Sequence, residues 1–179
     1  MVLAHDTELS LLAAVELVNS GEDPDTMTTI GQVDEWYAKY QYTGRRDRDV
    51  AELASLRAVR PVLRELLTAD RDTAAEMVNR MLAEAVALPR LVRHDMLDWH
   101  LHAVSPEEPL VRRVLVETAM AMVDLVRADE MSRLSVCADE GCAGIVLDLT
   151  RNRSRRFCST VCANRNAVAA YRARARSKA

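Results

Sequence analysis

The sequence predicts a mainly α-helical protein with one small β-hairpin, and two observations lead to that expectation. Aromatic residues make up only 4% of the 179 residues although hydrophobic residues make up 49%, so the core must consist largely of Leu, Val, Ala and Met, which favour helices over sheets. Hydrophobic residues also recur at helical spacing along most of the chain, whereas residues 90–104 alternate with the period of two that is typical of strands.

Two helices are predicted near the N-terminus. Asp6 or Thr7 can cap a helix that runs to about Asn19. Thr29 stands three residues before Gln32, and this capping-box spacing predicts the start of a second, shorter helix. Both segments carry an apolar face, so we expect them to pack into one core.

The next helical segments extend from Asp47 to about residue 87. Pro61 should kink or divide the first of them, because proline lacks the backbone N–H that a helix interior needs. Helical spacing predicts four inward side chains in this segment, at Val50, Leu53, Ala54 and Leu56. It leaves three cationic side chains available to solvent, at Arg57, Arg60 and Arg64. A further helix is expected over residues 73–87.

The alternating stretch at residues 90–104 predicts a hairpin that turns near Asp95. The clearest helix start follows it, as a capping box with proline at the first helical position: Ser105, Pro106 and Glu108. That helix should continue to about Ala128. We therefore predict a helical domain over residues 1–130 and a separate C-terminal module over residues 131–179.

The N-terminal sequence MVLAHDTELSLLAAVELVNS contains acidic residues and no basic lead, which is wrong for a secretory signal. The uncharged stretches of the chain are far shorter than the roughly 18 to 20 apolar residues that cross a bilayer. We therefore expect a soluble, cytoplasmic protein without a membrane partner.

All four cysteines lie in the C-terminal module, at Cys137, Cys142, Cys158 and Cys162. Two close pairs separated by fifteen residues can surround one tetrahedral ion, so the spacing predicts a single structural Zn²⁺. Two disulfides or a redox role are the alternatives, which a reducing cytosol disfavours. We expect a treble-clef-like finger, in which a hairpin formed by residues 134–136 and 145–149 precedes a helix that carries the second cysteine pair on one side of its first turn.

The charge of the chain is divided unevenly. Residues 135–179 hold nine basic side chains, ending with Lys178, and three acidic ones, so their net charge is +6 and that of the remainder is −9. Such asymmetry points to a nucleic-acid-binding end, although a solvated basic tail is the simpler alternative. The candidate nucleic-acid-binding residues are Arg151, Arg153, Arg155, Arg156, Asn164, Arg165, Arg172 and Arg176. Asn164 could instead cap or solvate the helix, and Arg151 or Arg156 could pair with Asp148.

The string LDLTRNRSRRFCSTVCANR resembles the CGNR zinc finger family, bacterial proteins regarded as stress-induced transcription regulators. The resemblance covers the whole chain, because that family joins the finger to an N-terminal helical domain termed ABATE. Cys162, Asn164 and Arg165 match the motif, whereas Ala163 replaces its glycine and Phe157 stands where Trp is frequent. The resemblance implies a regulator whose upstream domain senses an effector.

The upstream domain shows no phosphate-binding loop, nucleophile elbow or HExxH motif, so we do not expect an enzyme. A small-molecule sensor is more attractive, with a candidate ligand pocket formed by Asn19, Trp36, Trp99, His100 and His102. The simpler interpretation makes the aromatic residues plain core and the two histidines polar residues on the exposed side of the hairpin.

Together these features predict a zinc-dependent DNA-binding transcriptional regulator. We expect a homodimer, because one small finger contacts too little DNA for high specificity. A zinc-stabilised protein-interaction adaptor and an RNA-binding protein remain alternatives.

Overall fold

The computed structural model describes residues 3–94 and 97–176, and within them it is mostly helical with two small antiparallel sheets. The predicted turn at Asp95 and the basic residue Lys178 lie outside the described residues. The elements follow in the order α1 (His5–Asn19), α2 (Ile30–Lys39), α3 (Val50–Ala58), α4 (Arg60–Thr68), α5 (Arg71–Glu84), β1 (Arg90–His94), β2 (Leu97–His102), α6 (Leu110–Arg127), a 3₁₀ turn (Met131–Arg133), β3 (Leu134–Val136), β4 (Ile145–Leu147) and α7 (Thr160–Arg176). The predicted fold class, mainly α with a hairpin and a C-terminal finger, is confirmed.

Helix α1 lies at the centre of the structure, in contact with α4, α6 and β4. It begins at His5, and the N-cap position is Ala4, whose side chain makes no capping bond. Asp6 and Thr7 therefore lie inside the first turn rather than capping it. The acidic residues of that turn favour the positive end of the helix dipole instead.

Helix α2 begins as the sequence predicts. The N–H of Gln32 donates to the Thr29 hydroxyl at 3.3 Å, and the N–H of Thr29 donates to the Gln32 side chain at 3.0 Å, which completes a capping box. One turn later, Trp36 is buried and its indole N–H donates to the carbonyl of Ala13 in α1 at 3.2 Å. This bond fastens α2 to the central helix.

Pro61 divides the next segment as predicted, since α3 ends at Ala58 and α4 begins at Arg60. Asp49 rather than Asp47 caps α3, which makes Val50 the first helical residue and turns it towards solvent, 75% exposed. Of the four side chains predicted to face inward, Leu53 and Leu56 are buried while Val50 and Ala54 are exposed.

Arg60 is buried, contrary to the prediction that it is available to solvent. Its guanidinium donates to the carboxylate of Asp25 at 2.8 Å and to the hydroxyl of Ser20 at 2.9 Å. The loop between α1 and α2 supplies these two partners, so burial of this charge is compensated by an ion pair and a hydrogen bond.

Strands β1 and β2 form the predicted hairpin, with Val92 opposite His100 and Arg90 opposite His102. Its faces are the reverse of the simpler interpretation, because His100 is 8% exposed while Trp99 is 64% exposed. The histidine side of the hairpin faces the protein, and the Trp side faces outward.

Helix α6 begins at Leu110, so the predicted start at Pro106 is wrong. A helix from Pro106 would need the N–H that Pro109 lacks, and the residue before a proline also avoids the helical region. The chain therefore makes a separate turn, in which the Ser105 hydroxyl accepts the N–H of Glu107 at 3.3 Å.

The hydrophobic core is continuous from the helices into the C-terminal sheet. Strands β3 and β4 pair antiparallel, and Leu134, Ile145 and Leu147 belong to the same buried cluster as the inward residues of α1, α4 and α6. None of the helices in the described ranges is long and apolar enough to span a membrane.

Candidate metal centre and basic surface

The four cysteine sulfurs lie within 4.8 Å of one another. The Sγ atoms of Cys142 and Cys158 are 3.5 Å apart, and those of Cys158 and Cys162 are 3.8 Å apart. Four thiolates at about 2.3 Å from a tetrahedral ion stand about 3.8 Å from each other. The cysteines are not joined by disulfides, so the geometry matches one zinc ion rather than two covalent bridges.

The two cysteine pairs are contributed by different local structures. Cys137 follows β3, and a tight turn leads to Cys142, whose N–H donates to the carbonyl of Asp139 at 2.9 Å. Cys162 lies in the first turn of α7, but Cys158 stands two residues before that helix. The second pair therefore straddles the helix start, a correction to the prediction that both cysteines share one helical turn.

Backbone N–H groups point at the sulfurs. The N–H of Gly144 lies 3.3 Å from the sulfur of Cys142, and that of Cys158 lies 3.4 Å from the sulfur of Cys137. A side chain at position 144 would not fit, because a Cβ there would stand 2.9 Å from the sulfur of Cys158. The glycine thus lets the backbone approach the metal-binding sulfurs closely.

The thiols carry the electrostatic signature of a cation site. Burial raises the pKa of Cys158, and the neighbouring thiols of Cys142, Cys137 and Cys162 raise it further. Burial also acts to raise the pKa of Cys137, but N–H groups from Cys158 and Asp139 outweigh it and leave that pKa below the usual value. Four thiolates in one place repel each other, and a bound dication removes that repulsion, so the residues present fit Zn²⁺.

Asp148 organises the loop before Cys158. Its carboxylate accepts the N–H of Thr150 at 2.8 Å and that of Arg155 at 2.7 Å, and these bonds hold its pKa below the usual value despite burial, which acts in the opposite direction. The expected alternative, an ion pair with Arg151 or Arg156, is replaced by these backbone contacts.

Two arginines lie directly beside the cysteines. Arg165 pairs with Asp139 at 3.1 Å and reaches to 3.9 Å from the sulfur of Cys162. Arg155 donates to the carbonyl of Cys158 at 3.2 Å. These two guanidinium groups therefore help to position the chain around the metal.

The other candidate nucleic-acid-binding residues lie further from the metal. Arg153 donates to Glu130 at 2.7 Å, so its charge is partly compensated inside the protein. The remaining candidates are exposed on the loop or on α7: Arg151, Arg156, Asn164, Arg172 and Arg176. Asn166 donates to the carbonyl of Cys162 at 3.0 Å and stabilises the helix.

Comparison with known families identifies both parts of the chain. The CGNR zinc finger model matches residues 133–175, and the ABATE model, described as "Putative stress-induced transcription regulator", matches residues 12–129. The chain belongs to the ABATE family. The predicted resemblance is thus confirmed, and the four clustered cysteines of the CGNR finger suit one structural zinc ion. No curated protein matches the chain.

Among the described residues, two side chains of the ABATE region bond to the CGNR finger, as does Glu130 just after it. Asn19 at the end of α1 donates to the carbonyl of Ile145 in β4 at 2.8 Å and accepts its N–H at 2.6 Å. Arg64 of α4 donates to the carbonyl of Ala143 at 2.6 Å, beside Cys142. Glu130, which follows α6, receives Arg153 of the finger loop. The ABATE helices therefore contact the zinc-binding turn and β4 directly, and the segment that follows α6 contacts the basic loop.

A cavity of about 350 Å³ opens in the ABATE region between the hairpin, α1 and α6. Trp99, His100 and His102, three of the five residues predicted for a ligand pocket, are among its lining residues. Asn19 and Trp36, which were expected beside them, lie elsewhere, because Asn19 binds β4 and Trp36 belongs to the core.

Sequence reasoning missed the cavity residues contributed by α6, among them Glu117 and Asp124. A signal was present, since both acids lie seven residues apart on a helix whose neighbouring turns are apolar. An acid on an apolar stripe indicates either a buried ion pair or a binding site.

Proposed function

We propose that this protein is a zinc-dependent, DNA-binding transcription regulator and not an enzyme. One observation carries the proposal: Cys162 is the buried anchor of α7, while residues 167–176 of that helix are exposed. Nine basic residues and no acidic residue follow Asp148. A helix that is fixed at its start by a metal and exposed along a basic body suits a polyanion.

An exposed basic helix suits duplex DNA better than duplex RNA. The major groove of B-DNA is wide enough to admit an α-helix, whereas the deep, narrow major groove of RNA is not, and α7 with its 17 residues offers about 25 Å of helix to such a groove. Arg172 and Arg176 lie within about 20° of the line through Arg165, since seven and eleven residues are nearly whole numbers of turns. Arg165 holds the helix start, so the two distal arginines are the groups we assign to DNA.

Regulation is the second part of the proposal. The cavity is lined by α1 and α6, and the contacts of Asn19 and Glu130 connect the ends of these helices to the finger. A ligand that shifted either helix would move the turn beside Cys142 or the basic loop. We further expect a homodimer on DNA, because a single finger buries too little surface for high affinity.

The test measures binding of the zinc-loaded protein to a labelled DNA duplex by fluorescence anisotropy at several salt concentrations. Affinity should fall steeply with salt, and the double variant Arg172→Ala/Arg176→Ala should bind more weakly and with a salt slope smaller by about 2. Arg80→Ala, an exposed arginine on α5, is the matched control and should behave as wild type.

Zinc content must stay at one equivalent in all three proteins. Unchanged DNA binding by the double variant would contradict the assignment of α7. Affinity that does not depend on salt would favour the protein-interaction adaptor, and tighter binding to an RNA of the same sequence would favour the RNA-binding alternative.

A further inference from the structure

The cavity in the ABATE region has the size and walls of a small-molecule site. Its volume of about 350 Å³ lies within the range of ligand-binding pockets. Leu9, Tyr42, Met120 and Val123 supply apolar surface around it. A ligand with an aromatic or aliphatic body would therefore displace water from apolar surface, which is favourable.

The charges on the cavity wall are mostly negative. Asp6 from α1 and Glu117 and Asp124 from α6 contribute carboxyl groups that are partly shielded from solvent. The cation on the lining is Arg127, which is exposed. The carboxylate of Asp124 accepts the hydroxyl of Thr7 at 2.7 Å.

Among the described residues, Glu117 has no partner for its charge. Its environment consists of burial and the more distant charges of Arg113 and Asp6, without a hydrogen bond or an ion pair to its carboxylate. Arg113 is close enough to affect it electrostatically, but that guanidinium is committed to the carbonyl groups of Glu108, Thr43 and Arg45. Burial consequently raises the pKa of Glu117 to about 7, and the negative charge of Asp6 contributes in the same direction.

Tyr42 and the two histidines add polar groups to the residues that line the cavity. Tyr42 is 7% exposed, and within the described part of the chain its hydroxyl has no hydrogen-bond partner. The Nε2 atoms of His100 and His102 are 3.0 Å apart, a contact that requires one ring to accept and therefore to be neutral on that side. The histidine pair thus offers hydrogen bonding without two fixed positive charges.

We propose that this cavity binds a small organic cation, an ammonium group on an aromatic or aliphatic body, with the ammonium held by Glu117 and the body against the apolar wall that includes Met120. A metal ion fits less well, because the acids and histidines of the cavity form no ligand cluster comparable to the four cysteines within the described residues. Binding does not depend on the proposed function, but its regulatory consequence does.

The experiment uses the full-length, zinc-loaded protein and two probes with the same body, 2-phenylethylamine and 2-phenylethanol. Isothermal titration calorimetry at pH 8, where both Glu117 and the amine are charged, measures their dissociation constants. The amine should bind more tightly than the alcohol. Glu117→Gln should weaken amine binding about tenfold to a hundredfold, as expected for a lost charged hydrogen bond, while alcohol binding stays unchanged.

Glu76→Gln, an exposed glutamate on α5, is the matched control and should bind the amine as wild type does. Equal affinities for the two probes, amine binding that survives Glu117→Gln, or no saturable amine binding would each overturn the proposal. DNA is absent from this assay. Failure of the amine to bind therefore does not bear on DNA binding, and a protein that does not bind DNA can still bind the amine.

Discussion

The contact between Asn19 and Ile145 is a sensitive point of the structure, because one side chain satisfies both backbone groups of a buried strand residue. Ile145 is 1% exposed, and its N–H and C=O bind Asn19 at 2.6 and 2.8 Å. Asn19→Ala leaves two buried backbone groups without partners, each costing about 1–3 kcal/mol, so we expect a loss of about 2–6 kcal/mol in the free energy of unfolding. For a chain of this size that corresponds to a decrease in Tm of about 4–24 °C.

Urea denaturation of zinc-saturated protein, followed by circular dichroism, measures this loss. Asn79→Ala, an exposed asparagine on α5, provides the control and should change stability by less than about 0.5 kcal/mol. Asn19→Asp gives a second view, since it retains the acceptor for the Ile145 N–H but places an oxygen against the Ile145 carbonyl, and it should also destabilise. If Asn19→Ala were as stable as Asn79→Ala, the contact would contribute nothing and the reasoning would be wrong.

Three further predictions follow from the site and the cavity. Gly144→Ala should weaken zinc binding, because the added Cβ would lie too close to the sulfur of Cys158. Competition with a chromophoric chelator measures the zinc affinity. Gly31→Ala, at an open helical position, is the control and should leave that affinity unchanged. Glu117→Gln should stabilise the protein by roughly 3 kcal/mol at pH 8 and by much less at pH 5. The pKa is raised from 4.5 to about 7, so the stability contributed by the neutral acid is fully present below pH 4.5 and is lost as pH rises from 4.5 through 7. Equal effects at both pH values would contradict the assignment. Chelation of zinc should increase amide hydrogen exchange in α7 while α1 stays protected. The reason is that Cys162 is the buried residue of α7, whereas α1 lies in the core. If both helices lost their protection together, the two regions would unfold as one cooperative unit and the prediction would be wrong.

Local signals explain most of what the sequence predicts correctly. The capping box at Thr29, the division at Pro61 and the alternation of the hairpin depend on neighbours within a few residues, so they can be recognised in one dimension. The cysteine cluster can also be recognised from the sequence, because metal coordination imposes a spacing of cysteines that few other requirements produce.

Tertiary contacts explain what was missed. Burial of Arg60 depends on Asp25, which is 35 residues away, and the histidine side of the hairpin shares a cavity with α1 and α6, which are distant in sequence. The capping-box pattern at Ser105 predicts a helix start, but Pro109 prevents a helix from passing through that position, so α6 begins at Leu110. The sequence predicts Asn19 in the pocket, whereas its side chain binds a strand residue 126 positions later.

The continuous core has a consequence for protein engineering. Many zinc modules can be moved between proteins as self-contained cassettes, because the metal alone organises them. Here a C-terminal fragment that begins after α6 would expose Leu134, Ile145 and Leu147 to water, because the helices that cover these side chains would be missing. A transplanted finger of this type would therefore have to bring a substitute for α1 and α4 with it.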